Sequence, residues 1–453
     1  MVGGGIAGLA AAHALGREPA LDVTVLEASP QIGGKLRLAE VGGVTVDVGA
    51  EAMLNRRPEA IGLARDVGLA DDLVHPATTS ARLWNRNRLV PMPRTLMGVP
   101  TDLASLDQVV SRKGVARAAM DAVLPATVLG DRDTSVGALV EERFGKEVVD
   151  RLVEPLLGGV YAGHAREISA RAAVPQVVAL LDRDRSMSRA AAAVMSSPAS
   201  DAPVFAGIRG GIGRLPQAVA TASGAAVRTD ATVRDVVRRS DGGWRLVVGS
   251  TREPELVEAD AVVLATPARP TARLLSDVAP DAALELARIE YASMAIVTMA
   301  FHDHDLPEVG GSGFLAPPVD GHTVKAATFS FAKWDWVRAA GDGLLLLRCS
   351  IGRHREEAVL QVPDEELVDL AVGDLRDAIG LSVRPVDAHV QRWGGGLPQY
   401  AVGHLERVAT VRGALADIPG LAVCGAAYDG LGIPACIASA NLAVAKVLAD
   451  ISA

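Results

Sequence analysis

The chain has 453 residues, 49% of them hydrophobic and 22% charged, which is enough to bury the cores of two or three domains. Its formal net charge of -9, with no basic cluster, argues against nucleic acid as a partner. Cys349, Cys424 and Cys436 stand in no metal-ligand spacing, so we expect no metal site and interpret them as buried thiols in a reducing cytoplasm.

The first 27 residues have the order of a nucleotide-binding β–α–β unit. Three glycines in G-x-G-x-x-G spacing open an alanine-rich helix over 9–15, and an alternating strand over 23–26 ends in an acidic residue. Such glycines permit a tight turn, let a pyrophosphate approach the backbone and allow close helix packing, while the acid binds ribose hydroxyls. NAD and FAD both fit this unit alone. The residues predicted to contact the ligand are Gly3, Gly5, Ile6, Ala7, Gly8 and Glu27.

Only Met1 and Val2 precede these glycines, where a buried parallel strand of about five residues is expected. We therefore expect the natural start to lie a few codons upstream.

A second glycine-rich element follows at Gly33-Gly34-Lys35, where backbone and cation together suit a phosphate or a flavin edge. The alternating segment 44–48 predicts a strand that ends at Gly49, Ala50, Glu51 and Ala52. A surface hairpin is the alternative interpretation, because Gly-Gly turns are common.

These features resemble the amine-oxidase and protoporphyrinogen-oxidase superfamily of FAD proteins. Its members carry the fingerprint, the acid after strand two, a GG-[RK] element and a D-x-G segment, all of which stand here in order. The resemblance implies bound FAD. It also implies an α/β fold with a Rossmann-like FAD-binding domain built from discontinuous segments, a β-rich substrate domain and an inserted helical domain.

Helical periodicity dominates the chain after about Arg94, at 114–124, 136–144 and 147–157. Two segments here, 89–101 and 151–163, resemble segments of bacterial protoporphyrinogen and coproporphyrinogen oxidases. They narrow the resemblance from the superfamily to that family.

The chain then returns to the nucleotide domain through a glycine-rich element at 207–215. Strands are predicted at 226–229, 233–238, 244–248 and 261–265, and Val233 and Thr266 are expected beside the cofactor. A second β-rich block has strands at 294–301, 324–331 and 344–351, followed by a helix at 364–379.

The last element is a glycine-rich turn, Gly430 to Pro434, which leads into a helix with proline suited to its first position. A helix N-terminus beside a flavin would stabilise negative charge on the reduced ring. An ordinary β–turn–α ending is the alternative. The resemblance implies cofactor contacts at Gly432, Ile433 and Pro434, and places Trp393 near the flavin.

Three domains follow from these patterns. The FAD-binding domain is expected over 1–75, 203–285 and 390–453, the substrate-binding domain over 76–90 and 286–389, and the helical domain over 91–202.

The resemblance implies an oxygen-dependent oxidase of haem synthesis, most similar to coproporphyrinogen oxidases of Gram-positive and actinobacterial type. Coproporphyrinogen III would lose six electrons in three hydride transfers to flavin N5, each followed by reoxidation with O2 to give H2O2. Protoporphyrinogen IX is the second substrate considered. An amine oxidase, a carotenoid desaturase and a non-catalytic FAD-binding interaction protein are the remaining alternatives.

A porphyrinogen needs an apolar pocket with cations for its propionates. Arg56, Arg57 and Arg94 are candidates for the cations, with solvated surface arginines as the alternative. Met294, Phe329 and Phe331 are candidates for the apolar wall, with core packing as the alternative. No protein side chain is predicted to be catalytic, since the flavin accepts the hydride.

No run of about 18 apolar residues is found, and Asn441 and Lys446 interrupt the longest segment. We expect a cytoplasmic protein with at most peripheral membrane contact, and a transient contact with a ferrochelatase is left open.

Overall fold

The computed structural model describes residues 1–196 and 202–452. Its α-helices are α1 Ile6–Leu15, α2 Pro58–Asp66, α3 Arg112–Ala119, α4 Val136–Phe144, α5 Lys146–Val148, α6 Glu154–Tyr161, α7 Ala170–Ala173, α8 Pro175–Val178, α9 Met187–Ser196, α10 Leu215–Ser223, α11 Ala268–Leu274, α12 Pro280–Ala287, α13 Ser330–Lys333, α14 Asp335–Ala340, α15 Asp364–Ile379, α16 His404–Ala416 and α17 Ile433–Ser452.

The strands are β1 Thr24–Leu26, β2 Leu38–Val41, β3 Val44–Asp47, β4 Met53–Leu54, β5 Leu73–Val74, β6 Ala81–Asn85, β7 Arg88–Pro91, β8 Thr95–Leu96, β9 Val99–Pro100, β10 Phe205–Ile208, β11 Ala226–Arg228, β12 Val233–Arg238, β13 Trp244–Gly249, β14 Pro254–Ala259, β15 Val262–Leu264, β16 Tyr291–His302, β17 Gly313–Leu315, β18 Val324–Thr328, β19 Leu344–Ile351, β20 Asp387–Pro398 and β21 Leu421–Val423.

A parallel sheet forms the nucleotide-binding half of the molecule. β1 pairs with β11, and β15 pairs with β21. Val2 lies between the two pairs, with parallel bridges to Leu26 and Leu264. The order β11–β1–Val2–β15–β21 brings five separate segments of the chain side by side. Their carboxyl ends share one edge, where ligands bind in sheets of this kind.

Small residues let α1 pack closely in this half. Ala10, Ala11 and Ala12 are buried, and α1 contacts both α10 and α17. Gly8 lies in its first turn, where a β-carbon would sit 1.9 Å from the carbonyl oxygen of Gly3. The third glycine of the fingerprint is therefore required for packing.

By length and composition α17 could cross a membrane, the one such helix among the described residues, although the sequence had indicated none. Its residues from Ile433 to Val447 contribute ten buried side chains, and it packs against α1 and α2. In this structure α17 is a core helix.

A seven-stranded sheet forms the other half, in the order β20–β16–β19–β18–β17–β6–β7. Its pairs are antiparallel except for the parallel pair β17–β6. One face packs on Leu367, Ala371 and Leu375 of α15. The other face meets the β2–β3 hairpin through Ala300 and Leu346, and so turns towards the nucleotide-binding half.

The segment between β7 and β10 is mainly helical and has its own core, which includes Phe144 and Leu152. A buried ion pair between Arg143 and Asp121, with 2.7 Å between Nε and Oδ1, ties its helices together. The short β8–β9 hairpin also lies here. The predicted helical domain extends through 197–201, which lie outside the described residues.

The domain boundaries remain predictions. β20 runs to Pro398 and pairs with β16 there, so the seven-stranded sheet extends past the boundary expected at 390.

Gly8→Ala should lower the free energy of unfolding by at least about 2 kcal/mol, because the new β-carbon overlaps backbone that has no room to move. Gly62 in α2 is the matched control, since a β-carbon there meets nothing within 4 Å. Gly62→Ala should be neutral or stabilise by up to about 1 kcal/mol. Thermal unfolding followed by circular dichroism checks both, and equal midpoints for the two variants would contradict the packing described.

Candidate functional site

A cavity of about 880 Å³ lies where the two halves meet. It begins at the carboxyl ends of the parallel strands, at Gly3, Glu27, Ala265 and Gly425, and extends to the inner face of the seven-stranded sheet. Its size lies within the range of small-molecule and cofactor sites.

Most residues predicted from the sequence line this cavity. They are Gly3, Gly5, Ile6, Ala7, Glu27, Gly33, Gly34, Lys35, Gly49, Ala50, Ala52, Val233, Thr266, Met294, Trp393 and Ile433. Those that do not line it are Gly8, Glu51, Arg56, Arg57, Arg94, Phe329, Phe331, Gly432 and Pro434.

The fingerprint loop forms a backbone cradle. Gly3 has φ +105°, and a β-carbon there would lie 3.0 Å from the carbonyl oxygen of Ala265. A β-carbon on Gly5 would meet no protein atom within 4 Å, and this residue faces the cavity. Bare backbone at the N-terminus of α1 therefore adjoins open space, as binding of a diphosphate requires.

The Glu27 carboxylate is fixed by three donors. The backbone N–H of Gly4 donates to Oε2 over 2.6 Å, and the N–H and hydroxyl of Ser29 donate to Oε1 over 2.8 Å. Glu27 also lines the cavity, so a preoriented acceptor stands at the end of β1. This is the position at which nucleotide-binding sheets hold ribose hydroxyls.

The second glycine element packs onto the first. The N–H of Gly33 donates to the Gly4 carbonyl over 2.8 Å, and a β-carbon on Gly34 would lie 3.3 Å from the Gly5 Cα. Lys35 follows in the cavity wall, where burial lowers the pKa of its ammonium group. A buried cation beside two glycine loops is suited to a phosphate.

The D-x-G segment and β20 form the next part of the wall. A β-carbon on Gly49 would lie 2.0 Å from the Lys35 carbonyl oxygen, so this position also needs glycine. The Trp393 indole N–H donates to the Val48 carbonyl over 3.3 Å, and the residue lines the cavity.

The N-terminus of α17 reaches the cavity through Ile433 and Cys436. Gly432 and Pro434, predicted as contacts, lie beside it and do not line it. Burial raises the pKa of Cys436 to about 11, so its thiol is neutral.

Glu51 lies below the cavity wall, where its carboxylate pairs with two cations. Oε1 is 2.5 Å from Lys333 Nζ, and Oε2 is 3.4 Å from Arg348 Nη1. Burial alone would raise the pKa of Glu51, but the two cations outweigh burial and hold it at about 2. The neighbouring Asp47 accepts two backbone N–H groups, and burial still raises its pKa to about 7.

Of the residues predicted to contact the substrate, one lines the cavity and five do not. Met294 lines the cavity, whereas Phe329 and Phe331 belong to the core on the opposite face of the sheet. Arg56 and Arg94 are exposed, and Arg57 pairs with Glu59 over 2.5 Å. The structure brings none of these three arginines to the cavity.

Sequence reasoning missed several residues of the wall. They include Gly159 and Val160 of α6, Arg234, Arg273, Ile296, Arg348, Leu397 and the Gly425–Ala427 turn. The turn follows a parallel strand, as Gly3 and Glu27 do, and this signal could have been used. Arg348 lies in an apolar strand with no local signal of its role.

Charge around the cavity is mainly positive. Among the described residues that line it, the cations are Lys35, Arg234, Arg273 and Arg348, and the one carboxylate is Glu27. Such a cavity suits a ligand with several negative charges. Across residues 1–196 and 202–452, no group of three or more potential metal ligands occurs.

The model of the flavin containing amine oxidoreductase family matches residues 6–448. A coproporphyrinogen III oxidase of Mycobacterium tuberculosis is 38% identical over 461 aligned residues, covering 100% of this chain and 98% of the relative. One from Bacillus subtilis is 31% identical, covering 99% and 97%. The crystal structure of an Exiguobacterium protein provisionally named protoporphyrinogen oxidase superposes with a TM-score of 0.87 at 30% identity, covering 100% and 98%.

Fold and cavity thus define a flavin-dependent oxidoreductase, and the chain belongs to the flavin containing amine oxidoreductase family. Within it the chain belongs to the coproporphyrinogen III oxidase family, whose mycobacterial member it matches from end to end. The family and fold class predicted from the sequence are confirmed.

Glu51→Gln should destabilise the protein by about 3–5 kcal/mol at pH 7, because Lys333 and Arg348 lose their shared carboxylate in a buried site. The Glu51 pKa is depressed, so its stabilisation is complete above about 4.5 and is lost as the pH falls towards 2. The gap in thermal midpoint between wild type and variant should therefore narrow below about pH 4.5.

Glu255→Gln provides the control, since this carboxylate is 53% exposed in a surface pair with Arg228. It should change the thermal midpoint far less than Glu51→Gln does at pH 7, because an exposed ion pair contributes little to stability. A gap for Glu51→Gln that is the same at pH 7 and pH 3 would refute the assignment.

Proposed function

We propose that this protein is an FAD-dependent oxidase that converts coproporphyrinogen III to coproporphyrin III in haem synthesis. Six electrons leave the macrocycle in three two-electron steps. Each pair of electrons passes to one O2, which is reduced to H2O2. The observation that carries the proposal is the continuous cavity, which joins a dinucleotide cradle to an apolar sheet wall in a chain matched end to end by coproporphyrinogen III oxidases.

FAD fits the residues present better than a smaller flavin. Gly3 and Gly5 would take its diphosphate, Glu27 the adenosine ribose, and Val233 would lie beside the adenine. A flavin without adenosine would leave the preoriented Glu27 carboxylate without a partner in the cavity. Bound FAD supplies the hydride acceptor.

Other lining residues suit the flavin ring of the cofactor. We propose that Gly33, Gly34, Lys35, Gly49, Ala50, Ala52, Thr266, Trp393 and Ile433 complete the cofactor wall. Gly8 supports this cofactor wall through packing. Glu51, Gly432 and Pro434 lie behind the residues that line the cavity and support the wall from there.

The sheet end of the cavity suits an apolar macrocycle. Met294, Ile296 and Leu397 face it from β16 and β20, and Val160 faces it from α6. These side chains can orient the ring and exclude water, and none of them can act as an acid or base. The chain therefore contributes position and charge to hydride removal.

Protoporphyrinogen IX is the second candidate substrate. The similarity to the Exiguobacterium protein favours it, and the apolar wall would accept its ring equally well. It carries two propionates where coproporphyrinogen III carries four, and we rank it second because coproporphyrinogen III oxidases match this chain from end to end.

A cytoplasmic location is part of the proposal. The packing of α17 against α1 and α2, with ten side chains buried, supports it, because this apolar helix is part of the core. Transient contact with a ferrochelatase is also part of the proposal.

Anaerobic mixing of the holoprotein with coproporphyrinogen III tests the proposal. The flavin absorbance at about 450 nm should bleach within turnover time and return when O2 is admitted. The flavin released by heating should be FAD, and FMN would refute that assignment. Dithionite serves as the control for a reducible flavin: bleaching by dithionite but by neither porphyrinogen would refute the proposed function.

A further inference from the structure

The inner face of the seven-stranded sheet carries one cation at the cavity, Arg348. Met294 and Ile296 of β16 line the cavity on this face, and Arg348 pairs across the sheet with Thr298, one step further along the same side. The arginine therefore stands in the apolar wall that the substrate proposal uses. Its side chain is only 13% exposed.

The guanidinium is held from behind. Its Nη1 donates to the Asp47 carbonyl over 3.1 Å and lies 3.4 Å from Glu51 Oε2. Both contacts use the same nitrogen. Nε and Nη2 have no hydrogen bond to the described part of the chain, and the residue lines the cavity.

Local charges leave this position positive. Glu51 is shared by two cations and lies nearer to Lys333, at 2.5 Å, than to Arg348. The Asp47 carboxylate is occupied by the backbone N–H groups of Ile212 and Gly213, and burial raises its pKa to about 7, which reduces its negative charge. No other carboxylate of the described residues lines the cavity except Glu27, at the fingerprint end.

We propose that Arg348 binds a carboxylate of the substrate, with Nε and Nη2 donating to it from the sheet wall. The inference rests on the proposed function, because it takes the substrate to be a porphyrinogen with propionate groups. A fixed guanidinium with free donors is suited to paired hydrogen bonds with a carboxylate, and its low exposure strengthens them.

This assigns specificity to a residue that sequence patterns did not indicate. Arg56, Arg57 and Arg94, the arginines predicted to meet propionates, lie outside the cavity. Arg348 would favour a macrocycle that places a carboxylate at the sheet and disfavour an uncharged one, since the Nε and Nη2 donors would then stay unpaired in a site of low exposure.

Binding of the stable product to the holoprotein tests the inference. The probes are coproporphyrin III and its tetramethyl ester, which has the same macrocycle without charges, and affinity is measured by fluorescence titration. Wild type should bind the acid more tightly than the ester. Arg348→Gln, which removes the charge and keeps a polar side chain, should weaken binding of the acid by about 10- to 100-fold and leave the ester unchanged.

Arg348→Lys should keep part of the preference for the acid over the ester. It retains the positive charge but loses the planar pair of donors that can bind both oxygens of a carboxylate. Arg384→Gln is the matched control, an arginine 78% exposed on the surface, and should bind both probes as wild type does. Flavin content and the reduction potential of the flavin are measured on every variant. Arg348→Gln should leave the potential unchanged.

The outcomes separate the two proposals. Failure of wild-type protein to bind coproporphyrin would refute the proposed function. Wild type that binds the ester as tightly as the acid would refute the role of Arg348, even if Arg348→Gln does not fold. An Arg348→Gln variant that keeps the affinity for the acid but shifts the flavin reduction potential would refute the inference. That result would mean that the positive charge of Arg348 acts on the cofactor and not on the substrate.

Discussion

The buried carboxylate of Glu51 holds the two halves of this protein against each other. It follows the D-x-G segment of the nucleotide-binding half and pairs with Lys333 of α13 and Arg348 of β19, both in the sheet half. A buried charge without a partner would cost several kcal/mol, so the three groups must stay together. This constraint, together with the apolar contacts of Ala300 and Leu346, fixes the sheet against the half that carries the dinucleotide cradle.

The cavity has two ends with different chemistry because different parts of the chain form them. Parallel strands contribute backbone N–H groups, glycines and the fixed Glu27 carboxylate, which together suit a dinucleotide. The antiparallel sheet contributes Met294, Ile296 and Leu397, which suit an apolar ring, with one cation among them. A cofactor that extends from the first end towards the second would meet the substrate where the two halves join.

Local patterns predicted the parts of the fold that local forces decide. The fingerprint, α4 at 136–144 and α15 at 364–379 were found where glycine spacing and apolar periodicity placed them. Alternation in a strand shows that it has two faces but does not show which one meets the cavity. Phe329 and Phe331 were assigned to the wall as part of a strand predicted over 324–331, but β18 ends at Thr328 and Phe331 lies in α13. Arg348 was overlooked because strand pairing between distant segments decides which face of β19 meets the cavity.

The central claim is that one cavity holds FAD and a porphyrinogen and passes six electrons to O2. The most direct measurement is the amount of H2O2 released per porphyrin formed under air, with the flavin-free protein as a control for spontaneous oxidation. Since each H2O2 takes up two electrons, we expect about three H2O2 for each coproporphyrin III formed. Porphyrin formation no faster than in the flavin-free control, or formation without peroxide, would contradict it.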